Sequence, residues 1–120
     1  MLLWQVEHVE PILDGSKTQT RRLWSRWRVK EGSLHLCYTR PAWCNPPGEP
    51  FGQIAILRRW REPLGEISPA DALAEGYPSP EAYLEAFRRI NRLDNGPVQY
   101  LHVRVHCVEF ECVADLRRAA

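Results

Sequence analysis

Ile12-Leu13-Asp14-Gly15-Ser16-Lys17-Thr18-Gln19-Thr20-Arg21-Arg22-Leu23 reads as the end of a short helix, a glycine stop and then a polar strand. Towards the N-terminus, residues 8 to 14 place Val9, Ile12 and Leu13 on one helical face. Pro11 is tolerated there only within the first turn, and Gly15 supplies the left-handed residue that ends the helix. Towards the C-terminus, Lys17 to Trp24 suits a strand through its threonines, although the side chains it would turn inward are polar. A segment with so little apolar surface contributes chemistry rather than core.

Between Ser16 and Lys30 the cations Lys17, Arg21, Arg22, Arg26, Arg28 and Lys30 are interleaved with Trp24 and Trp27, without one acid. This is a local anion-attracting surface. The formal net charge of +1 conceals it, because Glu62, Glu66, Asp71, Glu75, Glu81 and Glu85 fall in a stretch with no Lys or Arg. Near-neutral totals therefore leave a nucleic-acid partner open. Lys17 and Lys30 are the only lysines in the chain.

At 120 residues with 44% hydrophobic content, the chain is expected to form one globular domain with a sufficient core. No apolar stretch approaches the ~20 residues of a membrane span and no leader pattern is visible, so a soluble, cytoplasmic protein is expected, with no membrane partner. Cys37, Cys44, Cys107 and Cys112 have neither the tight spacing of a zinc knuckle nor the framework of a small secreted protein. They read as reduced structural thiols, with a metal site shared with His35 or His106 the lesser reading. No cofactor is expected. Nothing in the sequence selects between monomer and dimer.

Outward from the central stretch, Leu2-Leu3-Trp4 opens the chain as a short strand or packed terminus. After a turn at Gly32, Leu34, Leu36 and Tyr38 alternate with His35, Cys37 and Thr39 as in a half-buried strand. Residues 41 to 52 form a proline-rich loop, whose Trp43 is expected to plug one end of the barrel, with a lid over a site as the other reading. Residues 53 to 60 follow as a strand with the apolar core Ile54-Ala55-Ile56-Leu57, ending in the basic aromatic cluster Arg58-Arg59-Trp60-Arg61. Two Ser-Pro pairs announce helices over 69 to 75 and 80 to 92, since Ser68 and Ser79 cap while Pro69 and Pro80 take the first helical position. Asn95-Gly96-Pro97 predicts a turn. Residues 98 to 113 predict one long strand bent near residue 107, with His102, Arg104 and His106 on one side. Five or six strands, two or three short helices and no βαβ alternation predict a mostly β, α+β fold, a small barrel with helices at its rim.

Three residues suggest catalysis. The Thr20 hydroxyl is a usable nucleophile only if a base takes its proton, and a neutral Lys17 can be that base once burial and the neighbouring Arg21 and Arg22 lower its pKa. In a strict strand the two side chains point to opposite faces, so the pairing requires Lys17 to belong to the preceding loop. Glu75 completes the set, because an acid in the last turn of a helix opposes the dipole and something else must hold it there. The plainer alternatives are an anion-binding loop and a solvated helix-end carboxylate.

The element Ile12-Leu13-x-Gly15-x-Lys17-Thr18-x-Thr20-x-Arg22, followed by Gly76-Tyr77-x-Ser79-Pro80-Glu81-x-Tyr83-Leu84 and Phe87-Arg88-Arg89-Ile90-Asn91, resembles the ASCH domain family. The resemblance runs over nearly the whole chain, which differs by a longer proline-rich loop. It implies a PUA-like β-barrel of five to six strands with a cleft beside the Lys17 element for a nucleoside or RNA. Small bacterial ASCH proteins include amidohydrolases that deacetylate N4-acetylcytidine with a Lys, a Thr and a Glu, similar by motif to Lys17, Thr20 and Glu75. Arg22 would then stabilise charge or ligand, with Ser16, Thr18, Gln19, Arg21, Trp24, Arg26 and Trp43 as further binding candidates. A non-catalytic RNA-binding module and a ribonuclease using the same cleft are the alternatives.

Overall fold

The sheet that carries the fold has the order β1-β3-β4-β5-β2 and leaves β1 (Leu2–Leu3) and β2 (Gln19–Arg22) as its two edges. The computed structural model describes residues 1 to 93 and 98 to 117, so the turn expected at Asn95-Gly96-Pro97 lies outside the described residues. Strands β3 (Leu34–Tyr38), β4 (Gly52–Pro63) and β5 (Arg104–Asp115) form an antiparallel centre, β1 adds in parallel to β3, and β2 adds antiparallel to β5. Strand β4 gains an extra residue at Leu57, and β5 gains one at Val113. Such bulges coil a long strand pair. The curled sheet is a half-barrel: the Arg22 guanidinium stacks 4.5 Å from the Trp4 ring centre, bringing the two unpaired edges together without a ladder between them.

Three short helices pack around it. Helix α1 (Val9–Asp14) ends at Gly15, whose φ of 85° is the left-handed value expected from the sequence. Helices α2 (Pro69–Ala74) and α3 (Pro80–Ile90) start as their Ser-Pro pairs predict, with the Ser68 and Ser79 hydroxyls accepting from the Asp71 and Ala82 amides. The core divides between the two faces of β5. Val108 and Phe110 join Trp4, Ile12, Ile54 and Ile56 on one side, and Val105 and Cys107 join Leu64, Ala72, Tyr83 and Phe87 on the other.

That division corrects the reading of residues 98 to 113. Val98–His102 is a 3-10 turn rather than strand, and the strand starts at Arg104. The apolar run 105 to 108 needs no bend at residue 107, because both faces of β5 are covered there. His106 does not share an outer face with His102; it is buried, with Trp24 and Trp27 rings at 6.0 and 4.6 Å. Strand β3 also faces opposite to expectation: Cys37 enters the core while Leu34 and Leu36 are exposed. Trp43 plugs nothing, being 75% exposed on its loop. No helix among the described residues is long and apolar enough to cross a membrane.

Candidate active site

Lys17 lies in the loop between α1 and β2, held by two backbone bonds. Its amide donates to Pro11 O (2.9 Å), and the Thr18 amide donates to Ala74 O at the end of α2 (2.7 Å). The glycine turn thus folds the chain back over α1 and fastens it to α2. The result places the Lys17 amine against Glu75, the C-cap of α2, donating to its backbone oxygen (2.7 Å) and to Oε1 (2.9 Å). Each residue is only 2% exposed. The solvated reading of Glu75 is therefore overturned: cations compensate for its place at the negative end of the helix.

The other Glu75 oxygen accepts from Arg21 Nη1 (3.0 Å). In β2, Gln19 and Arg21 share one face and Thr20 and Arg22 the other, as the two-residue period of a strand requires. Arg21 is the hub of the first face, donating also to Gln19 Oε1 (2.9 Å), Glu62 Oε1 (2.9 Å) and Asp71 Oδ2 (3.2 Å), with Trp60 beneath it at 5.7 Å. Asp71 sits where a capping-box acid would, yet its carboxylate goes to Arg21 and Gln19 instead. On the second face, Arg22 Nε donates to Thr20 Oγ1 at 2.9 Å.

The electrostatics follow from burial. Desolvation lowers the Lys17 pKa, the Glu75 charge and hydrogen bond oppose that shift without cancelling it, and Arg22 and Arg21 add to the lowering. Burial also works against the Arg21 charge, but Glu75 and its hydrogen-bonding acids hold that guanidinium firmly ionised. His8, bonded through Nε2 to the Tyr77 hydroxyl (3.1 Å), is lowered to about 4 by burial and by Lys17 and Arg22, so its ring is neutral at pH 7. Burial raises the Tyr83 hydroxyl well above its ordinary value, with Glu75 adding to the effect. The thiols of Cys37 and Cys107 are pushed up to about 11 and about 12 by burial, which leaves them unreactive.

These groups converge on a cavity of about 140 Å³ between the two sheet edges and α3, lined by Trp4, His8, Lys17, Thr20, Arg21, Arg22, Glu75, Tyr77 and Tyr83 among others. It is smaller than the ~300–1,000 Å³ of a drug-sized pocket and suits one planar group. Lys17, Thr20, Glu75, Arg21 and Arg22, all singled out from the sequence, line it together. The remaining candidates do not. Ser16 is exposed beside Asp14, Thr18 is tied to α2 by its backbone, and Gln19 braces Arg21 and Asp71. Trp24 packs on His106, and Arg26 and Trp43 are exposed away from the cavity lining. Trp4, His8, Tyr77 and Tyr83 line the cavity although none of them is among the site candidates read from the sequence. The sequence signal for Tyr77 and Tyr83 is their place in the element Gly76-Tyr77-x-Ser79-Pro80-Glu81-x-Tyr83-Leu84 that follows Glu75. Among the described residues no group of three or more His, Cys, Asp or Glu side chains is arranged to hold a metal ion.

No protein-family model and no curated protein matches the sequence. Solved structures do match the fold. A protein of Enterococcus faecalis V583, described by the family model DUF984, superposes with a TM-score of 0.67 at 17% identity, over 95% of this chain and 74% of that one. An ASCH domain from Lactobacillus crispatus JV V101 superposes with a TM-score of 0.67 at 19% identity, over 88% of this chain and 70% of that one. The half-barrel with its three rim helices is an ASCH-domain fold.

Proposed function

We propose that the protein is an amidohydrolase that cleaves the linear amide of an N4-acylated cytosine, of which N4-acetylcytidine is the representative substrate. The observation that carries this reading is the buried Lys17 amine, held by Glu75 in the wall of the small cavity that also contains Thr20. A lysine with a lowered pKa can be neutral and can act as a base.

In the first step neutral Lys17 takes the Thr20 hydroxyl proton while Oγ1 attacks the acyl carbon. Arg22 Nε, already bonded to Oγ1, orients that oxygen for attack, while negative charge develops on the acyl oxygen. The C–N bond then breaks, the lysine proton passes to the departing amino nitrogen, and the acyl group remains on Thr20. Water, deprotonated by Lys17, attacks the acyl-threonine; the C–Oγ1 bond breaks, the proton returns from Lys17 to Thr20 Oγ1, and the carboxylic acid leaves. Glu75 fixes the ammonium form of Lys17 through one oxygen while Arg21 fixes Glu75 through the other, so proton transfer occurs from a set orientation.

The test is turnover of N4-acetylcytidine to cytidine and acetate without added metal. Lys17→Ala and Thr20→Ala should each lose it, and Thr20→Ser should keep a measurable part. Undiminished turnover in either alanine variant would defeat the mechanism.

A second reading, a non-catalytic RNA-binding module, is favoured by exposed Arg26, Arg28 and Lys30 beside Trp24 and Trp27, with the Arg59 guanidinium over the Trp27 ring at 4.6 Å. It predicts RNA affinity that falls steeply with salt, whether or not the cavity turns over an amide.

A further inference from the structure

We propose that the Tyr83 hydroxyl is the group by which the cavity recognises its ligand, donating a hydrogen bond to a ring acceptor of an uncharged base. The inference rests on the base-binding part of the proposed function, not on the hydrolysis.

Tyr83 lies in the second turn of α3, its amide donating to the Ser79 carbonyl, and the side chain is held between Tyr77 (ring centres 5.6 Å apart) and Phe87 (6.0 Å). The residue is 4% exposed. A tyrosine so enclosed ordinarily gives its hydroxyl a partner. Here the hydroxyl has none among the described residues. The Glu75 carboxylate oxygens accept from Lys17 and Arg21, and the Tyr77 hydroxyl is bonded to His8, none of them to Tyr83. Nor is it sealed in: among the described residues the buried side-chain atoms cut off without a partner are Trp4 Nε1, Arg21 Nε and His106 Nδ1. The hydroxyl therefore opens to the cavity that Tyr83 lines. A locked ring presenting one unspent O–H is built for a ligand.

The lining of the site selects the kind of ligand. Lys17 and Arg21 are paired with Glu75, Glu62 and Asp71, of which only Glu75 lines the cavity, and Arg22 is a lining cation with no acidic partner among the described residues. His8 adds no charge at neutral pH. An uncharged planar ring with an acceptor nitrogen or carbonyl fits both the aromatic walls and the waiting hydroxyl.

The decisive variant is Tyr83→Phe, which deletes only the oxygen. Removing a hydroxyl with no protein partner should leave the melting temperature equal to that of the parent or higher. Cytidine titrated against both proteins, followed by amide NMR shifts, should bind the variant roughly 3- to 10-fold more weakly. A lower melting temperature would mean that the hydroxyl has a structural partner, and would overturn the proposal. Equal cytidine affinity in the two proteins, or no cytidine binding to the parent, would overturn it as well. Cytidine binding that depends on Tyr83 in a protein that releases no acetate would sustain this inference while refuting the amidohydrolase.

Discussion

Replacing Glu75 by Gln tests the centre of the site, because one carboxylate neutralises two buried cations. In the parent, Lys17 Nζ lies 2.9 Å from Oε1 and Arg21 Nη1 lies 3.0 Å from Oε2. A glutamine can offer its single oxygen to one of them and must turn its amide N–H groups towards the other. Breaking a buried ion pair costs about 3–5 kcal/mol. The lower end applies here, since Lys17 keeps the Glu75 backbone oxygen and Arg21 keeps Glu62 and Asp71. A loss of about 3 kcal/mol in a domain of this size lowers the melting temperature by about 10 °C. The Lys17 pKa should fall further, because the carboxylate is the influence that raises it. The sign in the stability profile follows. The unfolded chain holds the lysine proton up to about pH 10.4 while the folded chain releases it earlier, so the Lys17 contribution makes stability rise with pH between the folded and unfolded values, and the substitution extends that window downwards. Urea unfolding gives the first quantity. The second comes from a carbon NMR titration of the lysine side chains, simple to assign because Lys17 and Lys30 are the only two. A loss below about 1 kcal/mol, against the 3–5 kcal/mol of a buried pair, or a Lys17 that titrates higher in the variant, would refute the reasoning.

Acidification should separately weaken the fold through His8. Its folded pKa of about 4 lies below its unfolded value, so the stability it contributes is present above about pH 6.5 and is lost as the pH falls towards 4, by roughly 1–2 kcal/mol after discounting for its partial exposure. A His8→Gln variant should flatten that part of the profile; an unchanged slope would count against it. Arg21→Lys should cost about 3 kcal/mol in urea unfolding, since an ammonium cannot reproduce the planar fork that meets Glu62, Asp71 and Glu75 at once, and parent-like stability would show that the fork is dispensable. Ser79→Ala should cost about 1 kcal/mol by removing the α3 cap, and an unchanged melting temperature would show the cap to be idle.

What could be read from the sequence was whatever depends on local backbone chemistry. Gly15, Ser68-Pro69 and Ser79-Pro80 each mark a helix end through a bond made within a few residues, and all three stand where expected. Glu75 was legible because a helix-end acid conflicts with the dipole and so requires a distant cation. That the cation is Lys17, 58 residues away, follows from the loop that fastens to Ala74. The hub role of Arg21 was not legible, because Glu62 and Asp71 lie 41 and 50 residues away and meet only when β2, β4 and α2 assemble. Alternation misled in both directions. Residues 98 to 102 alternate yet wind into a 3-10 turn, and Leu34 and Leu36 alternate yet face outwards, because apolar periodicity records which side chains share a face and not which face is covered. The roles of Trp4, His8 and Tyr83 were hidden for a related reason. Apolar or aromatic side chains on a helix face look like core, and only the gap between the two sheet edges makes them a cavity wall.

The central claim is that Thr20 is the nucleophile of an amidohydrolase. The most direct measurement is an acid quench of the protein during its reaction with N4-acetylcytidine, followed by mass spectrometry of the peptide that contains Thr20. The account predicts one acetyl group on Thr20, absent in Lys17→Ala and formed together with free cytidine. Cytidine released with no acetyl group on Thr20 under any quench, or no cytidine at all, would contradict it.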